Sequence, residues 1–124
     1  MRRIFKRKDF SRWMLGESLH DNALCSAIRE MENGLIDAHL GGMLYKKRLP
    51  RPGQGKSGGY RTLLAAKLGQ RYVFLQGFAK GNMDNITQTE KRALQFTGKV
   101  MLELSPDGLS KALTSGVLLE VYCE

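Results

Sequence analysis

Tyr60-Arg-Thr-Leu-Leu-Ala-Ala-Lys-Leu68 and Arg71-Tyr-Val-Phe-Leu-Gln-Gly-Phe78, separated by Gly69-Gln70, decide the fold of this 124-residue chain. Both runs favour strands, and a glycine-containing dipeptide between two such runs is a tight-turn signal. An antiparallel hairpin is therefore predicted. Pairing around Gly69–Gln70 sets Arg61 against Phe78 or Ala79, with Lys80 about one residue farther on. Side chains alternate along a strand, so Tyr60 and Thr62 are expected on the face opposite to Arg61. Two cations, Arg61 and Lys80, then converge at the open end of the hairpin.

Upstream of the hairpin, Gly41–Gly42 introduces a predicted strand over Met43–Leu49. Pro50–Gly59, rich in glycine and proline, reads as a loop. Ile4–Phe5 suits a short first strand or an extended arm. Asp9 or Ser11 can cap a helix that carries Phe10, Trp13, Met14 and Leu15 and ends at Gly16. His20-Asp21-Asn22 offers capping chemistry for a helix over Ala23–Glu32. Its Leu24, Ala27, Ile28 and Met31 keep helical spacing, and Asn33–Gly34 stops it. Downstream, Thr87 and Glu90 spell a capping box for a helix reaching about Leu104. Pro106–Thr114 reads as a short helix with proline at its first position, and Val117–Tyr122 as a last strand. This order predicts an α+β fold with an antiparallel sheet, and the length supports one domain over residues 1–124.

The charge is unevenly placed. The net charge is +8, and no acidic residue lies between Asp37 and Asp84. That interval holds Lys46, Lys47, Arg48, Arg51, Lys56, Arg61, Lys67, Arg71 and Lys80. A one-signed stretch builds positive potential with no internal ion pairs to cancel it, so a polyanion is the expected partner, nucleic acid first. A merely solubilising basic face is the bland alternative. The cations do not fall on one amphipathic helix, and runs such as Leu63–Ala66 are too short to span a bilayer, which argues against a membrane role. The basic start MRRIFKRKDF lacks a following apolar stretch, so the cytoplasm is expected.

Several chemistries are set aside on residue grounds. Gly55-Lys56-Ser57 is no nucleotide-binding loop, because Pro50 stands where the first glycine belongs and a strand follows. No pair of carboxylates lies in the basic zone, so two-metal nuclease chemistry lacks ligands, and no metal or cofactor is expected. His20 and His39 are isolated and read as surface or capping residues. Cys25 and Cys123 lie far apart without metal-ligand spacing and are expected as thiols rather than a disulfide. Phe10 and Trp13 read as packing groups, whereas Tyr45, Tyr60 and Tyr72 suit either base stacking or sheet packing.

Met31-Glu-Asn-Gly-Leu-Ile-Asp-Ala-His-Leu-Gly-Gly42, Lys46-Lys-Arg-Leu49, Arg51-Pro-Gly-Gln-Gly-Lys-Ser-Gly-Gly-Tyr-Arg61, Gly77-Phe-Ala-Lys80 and Asp84-Asn-Ile86 together resemble the RelE/ParE toxin superfamily. Within it, the chain looks closest to the RelE-like, HigB-like toxins of bacterial type II toxin–antitoxin systems. The resemblance runs from about Phe5 to Tyr122. It implies a small curved sheet, mixed at its edge, packed against N-terminal helices and a long C-terminal helix. It also implies cleavage of mRNA, commonly in the ribosomal A site, without a metal. By position, Arg61 matches the superfamily's strand arginine, Lys80 approximately its second basic position, and Lys56 the cationic loop lysine. Lys46, Lys47, Arg48, Arg51 and Tyr60 are the expected RNA contacts. Several relatives carry tyrosine or histidine soon after the strand-end cation. Gly81-Asn-Met-Asp-Asn-Ile86 has neither, leaving Asp84 as the titratable acid–base candidate in that segment. The implied partner is an antitoxin, often a helix-turn-helix protein in this branch. Two other functions fit the same fold class: a ParE-like inhibitor of DNA gyrase without nuclease activity, and a non-catalytic RNA-binding protein.

Overall fold

In a computed structural model, residues 2–51, 55–79 and 86–124 are described, without the side chains of 55–58. They form β1 (Arg3–Arg7), α1 (Lys8–Gly16), α2 (Asp21–Glu32), β2 (Ala38–His39), β3 (Leu44–Arg51), β4 (Gly55–Lys67), β5 (Arg71–Ala79), α3 (Gln88–Leu102), α4 (Pro106–Thr114) and β6 (Leu118–Val121). The strands make one sheet in the order β2-β3-β4-β5-β1-β6. The architecture is α+β, as the element order predicts. The sheet is mixed, however: β1 runs parallel to β5 and antiparallel to β6.

The hairpin sits where its sequence places it. Arg61 pairs with Phe78 and Tyr60 with Ala79. A register shift after Leu63 leaves Leu75 as an extra residue on β5. Bulges disturb the ladder locally; here the Leu75 carbonyl accepts a 3.3 Å hydrogen bond from Arg7 Nε.

Strand alternation divides the core in two. Leu49, Tyr60, Leu64, Tyr72 and Phe74 pack with Phe10, Met14, Leu24, Ile28 and Met31 of α1 and α2. Leu44, Leu63, Ala65, Val73 and Leu75 pack with Leu94 and Leu102 of α3 and Leu109 of α4. Two glycines allow close seating of the helices. A Cβ on Gly77 would overlap the Trp13 ring, and one on Gly98 would stand 2.7 Å from the Ala65 Cβ. The capping box forms, with Thr87 accepting from the Glu90 N–H and Glu90 accepting from the Thr87 N–H. At the other end of α3, Arg71 donates to the carbonyls of Met101 and Leu102, groups that a helix leaves unpaired, and to that of Leu104 just beyond it.

Four expectations need correction. The Pro50–Gly59 loop is shorter than its composition suggests, because β3 continues to Arg51 and β4 starts at Gly55. Proline is tolerated in β3 because β2 covers only Tyr45 and Lys46, leaving Pro50 on an uncovered edge. β2 itself has two residues, too few to leave a periodic signal. Neither α1 nor α2 has a side-chain cap: Arg7 and His20 occupy the cap positions, and Asp9 lies in the first turn. Finally, Cys25 and Cys123 form a disulfide, with Cα atoms 5.8 Å apart across 98 residues of sequence. Spacing along the chain carried no information about this meeting of α2 with the tail beyond β6.

Candidate nucleic-acid interface

The basic interval folds mainly into β3, β4 and β5, and alternation sorts its cations onto opposite faces. Arg48 stands directly opposite Arg61, and Arg61 directly opposite Phe78. Lys46 stands opposite Leu63, which belongs to the α3-side core. Lys46, Arg48 and Arg61 therefore share the α3 face, and all three are half-buried rather than covered. The cross-strand row Arg48–Arg61–Phe78 is the centre of the candidate site. Its two guanidiniums supply planar, permanently charged donor forks suited to phosphate oxygens.

The intervening residues turn the other way. Thr62 is fully buried and its hydroxyl donates to the Lys47 carbonyl at 2.8 Å. Lys47, expected as an RNA contact, is also fully buried. Its ammonium meets Glu30 of α2 at 2.8 Å and Asp37 at 3.5 Å and donates to the Leu35 carbonyl. It serves the interior because β3 places it under α2. Tyr60 is corrected likewise: it is 2% exposed, its ring meets Trp13 edge-on, and its hydroxyl donates to the Glu17 carbonyl. Burial accordingly pushes the Tyr60 hydroxyl above its ordinary pKa. Arg51 lies over the Tyr60 ring at 5.5 Å, which puts it at the rim of the α1–α2 side. Tyr72 is buried, and Tyr45 stacks on His39 with ring centres 4.5 Å apart.

Asp37 governs the local electrostatics. It accepts from the Arg48 backbone N–H at 2.8 Å and from Arg48 Nε at 2.9 Å, and its side chain is 8% exposed. Burial alone would raise its carboxyl pKa. The Arg48 hydrogen bonds and the nearby Lys47 and Arg48 charges outweigh that and hold it below the usual range. The acid-free interval is thus not free of ion pairs; acids just outside it, Glu30 and Asp37, engage Lys47 and Arg48.

Lys56 lies in β4 with its side chain outside the described set, and Lys80 and Asp84 lie outside the described residues altogether. Two residues that sequence reasoning left out belong near this face. Lys91 is half-buried and one turn before Leu94 on the sheet-facing stripe Leu94, Gly98 and Leu102. Asp37 was visible only as the border of the basic interval. Among the described residues no group of three or more His, Cys, Asp or Glu is arranged to hold a metal. No described helix is long and apolar enough to cross a membrane.

A family model described as the RelE toxin of the RelE/RelB toxin–antitoxin system matches residues 2–121. No match to an individual curated protein was found.

Proposed function

The chain belongs to the RelE toxin family, the toxin half of a toxin–antitoxin pair, and from that membership we propose that it is an mRNA endoribonuclease acting during translation. The observation that carries this reading is the row Arg48–Arg61–Phe78: two cations and an aromatic ring on one sheet face, in register across three strands. In the proposed reaction a ribose 2′-oxygen attacks the adjacent phosphorus. The new 2′-O–P bond forms as the P–O5′ bond breaks; one proton leaves the 2′-hydroxyl and another reaches the departing 5′-oxygen. Charge grows on the phosphoryl oxygens, where Arg61 stabilises it bidentately. Lys56 and Lys80 neutralise neighbouring phosphates or the departing oxygen, and Lys46, Arg48 and Arg51 hold flanking backbone. A lysine crowded by cations has a lowered pKa and suits the general base, with Asp84 the acid–base alternative. Charge stabilisation comes from side chains, so the scheme calls for no metal.

The proposed partners are translated mRNA on the ribosome and an antitoxin of helix-turn-helix type, whose complementary charge would speed capture of the basic face. The proposed compartment is the cytoplasm, where translation takes place. Induction of Arg61→Ala and Lys80→Ala forms tests the assignment. Loss of one such contact lowers cleavage by about 10²–10³, and growth arrest should be relieved. Wild-type cleavage and arrest by both variants would show the assignment to be wrong.

A further inference from the structure

β6 is an edge strand of four residues, paired with β1 on one side. Leu118 packs into the α3-side core and Val121 into the α1–α2 side. Beyond Val121 the tail Tyr122–Glu124 is exposed and has no regular structure. The Cys25–Cys123 bridge fastens this tail to α2. Chain ends and sheet edges open locally at the least cost. A covalent tie two residues past Val121 therefore closes the end of the sheet most prone to fray.

The two cysteines are unequally placed. Cys25 is 3% exposed and belongs to the α1–α2 core. Cys123 is exposed, and the bridge lines a cleft of about 420 Å³ bounded by Asp21, Arg29 and Glu124. Thiol–disulfide exchange depends on access to the attacked sulfur. An incoming thiolate thus reaches Cys123 first, with Cys25 as the leaving sulfur. The compartment proposed above keeps thiols reduced, so a bridge there is under constant challenge by reductants. β6 also stands far from β3, with β4, β5 and β1 between them in the sheet.

We propose that the Cys25–Cys123 bridge is a reversible exchange site for a dithiol reductant, attacked at Cys123, whose state sets resistance to proteolysis and not action on RNA. The reductant's thiolate forms an S–S bond to Cys123 as the Cys25–Cys123 bond breaks. Cys25 leaves as a thiolate and takes up a proton. The reductant's second thiolate then displaces Cys123, which takes up the second proton. Two electrons and two protons have passed from the dithiol to the bridge, leaving two cysteine thiols and an oxidised dithiol. The same steps in reverse restore the bridge. A dithiol suits the task because its second thiol resolves the mixed disulfide within one molecule.

The full chain, oxidised in air-equilibrated buffer, carries the test, with dithiothreitol as the dithiol and glutathione as a monothiol trap. After brief exposure to glutathione and alkylation, peptide mass mapping should find the mixed disulfide on Cys123 and the alkyl group on Cys25. Dithiothreitol should free both thiols while far-ultraviolet circular dichroism stays native. Digestion of the reduced form by subtilisin should then run about tenfold faster, because cleavage tracks the population of open chain. Reoxidation with the oxidised dithiol should restore resistance, and RNA cleavage should be the same for both forms. Cys123→Ser should be digested at the reduced rate in either buffer; if it does not fold, the wild-type comparison suffices. Two free thiols in air-equilibrated buffer, glutathione captured on Cys25, or a bridge that opens only as the protein unfolds would overturn the proposal. So would equal digestion of the two forms, or RNA cleavage that differs between them. Uncut RNA with both forms would count against the nuclease reading alone.

Discussion

Arg61 on β4 and Arg48 on β3 face each other across one strand pair, on the side of the sheet that carries α3. One residue away on each strand, Lys47 and Tyr60 point under α1 and α2 and are buried. The basic interval therefore has two jobs, divided by strand alternation.

That division separates two kinds of variant. Lys47→Ala removes the buried cation that meets Glu30 and Asp37, and removal of one member of a buried pair costs about 3–5 kcal/mol. Glu30 is 34% exposed, so the lower end is expected. Lys46→Ala, on the open face, should weaken RNA binding and its salt dependence with little change in unfolding midpoint. Denaturant unfolding and RNA titrations at two salt concentrations check the pair; equal stability of the two variants would contradict the burial argument.

The Cys25–Cys123 bridge closes a loop across 98 residues of sequence. In the chain-entropy account, its removal costs up to about 4–5 kcal/mol. Cys25→Ser, or reduction, should lower the unfolding midpoint while leaving cleavage near wild type below the new midpoint. Unfolding with and without reductant measures this, and an unchanged midpoint would show that the bridge adds no constraint.

Gly77 lies between Gln76 and Phe78 with the Trp13 ring where a Cβ would go. Gly77→Ala should therefore destabilise the protein by about 1–3 kcal/mol through overpacking. Near-ultraviolet circular dichroism should report the displaced Trp13. A stable variant with an unaltered spectrum would show that α1 yields freely.

The pH limits follow from two groups. Asp37 has a depressed pKa, so its contribution is present above the unfolded carboxyl value and is lost as acid titrates through the lower folded value. Tyr72 is pushed up to about 12, chiefly by burial, with its hydroxyl donating to Glu32. Its contribution is complete below the unfolded value of about 10 and fades as pH rises towards 12. Unfolding midpoints across pH should fall at both ends. Tyr72→Phe should flatten the alkaline decline, and an unchanged slope there would remove Tyr72 from the account.

Much of this was legible in the sequence, for identifiable reasons. The hairpin and the capping box are local signals, although Arg61 reaches Phe78 only because the extra residue Leu75 offsets a turn that pairs Lys67 with Arg71. That Arg61 lies on the face opposite to buried Tyr60 and Thr62 followed from strand alternation. What escaped depends on residues distant in sequence. Lys47 looked like its neighbours until α2 supplied Glu30; Tyr60 suited either stacking or packing until Trp13 covered it. The disulfide needed the tail brought to α2, and the extension of β4 to Gly55 needed β3 as a partner that composition does not reveal.

Primer-extension mapping of transcripts after induction, with chromosomal DNA integrity followed in the same cells, tests the central claim most directly. The account predicts cuts within translated mRNA in phase with codons, absent for Arg61→Ala, and intact DNA. Uncut transcripts accompanied by double-strand DNA breaks would contradict it and point to a gyrase poison on the same fold.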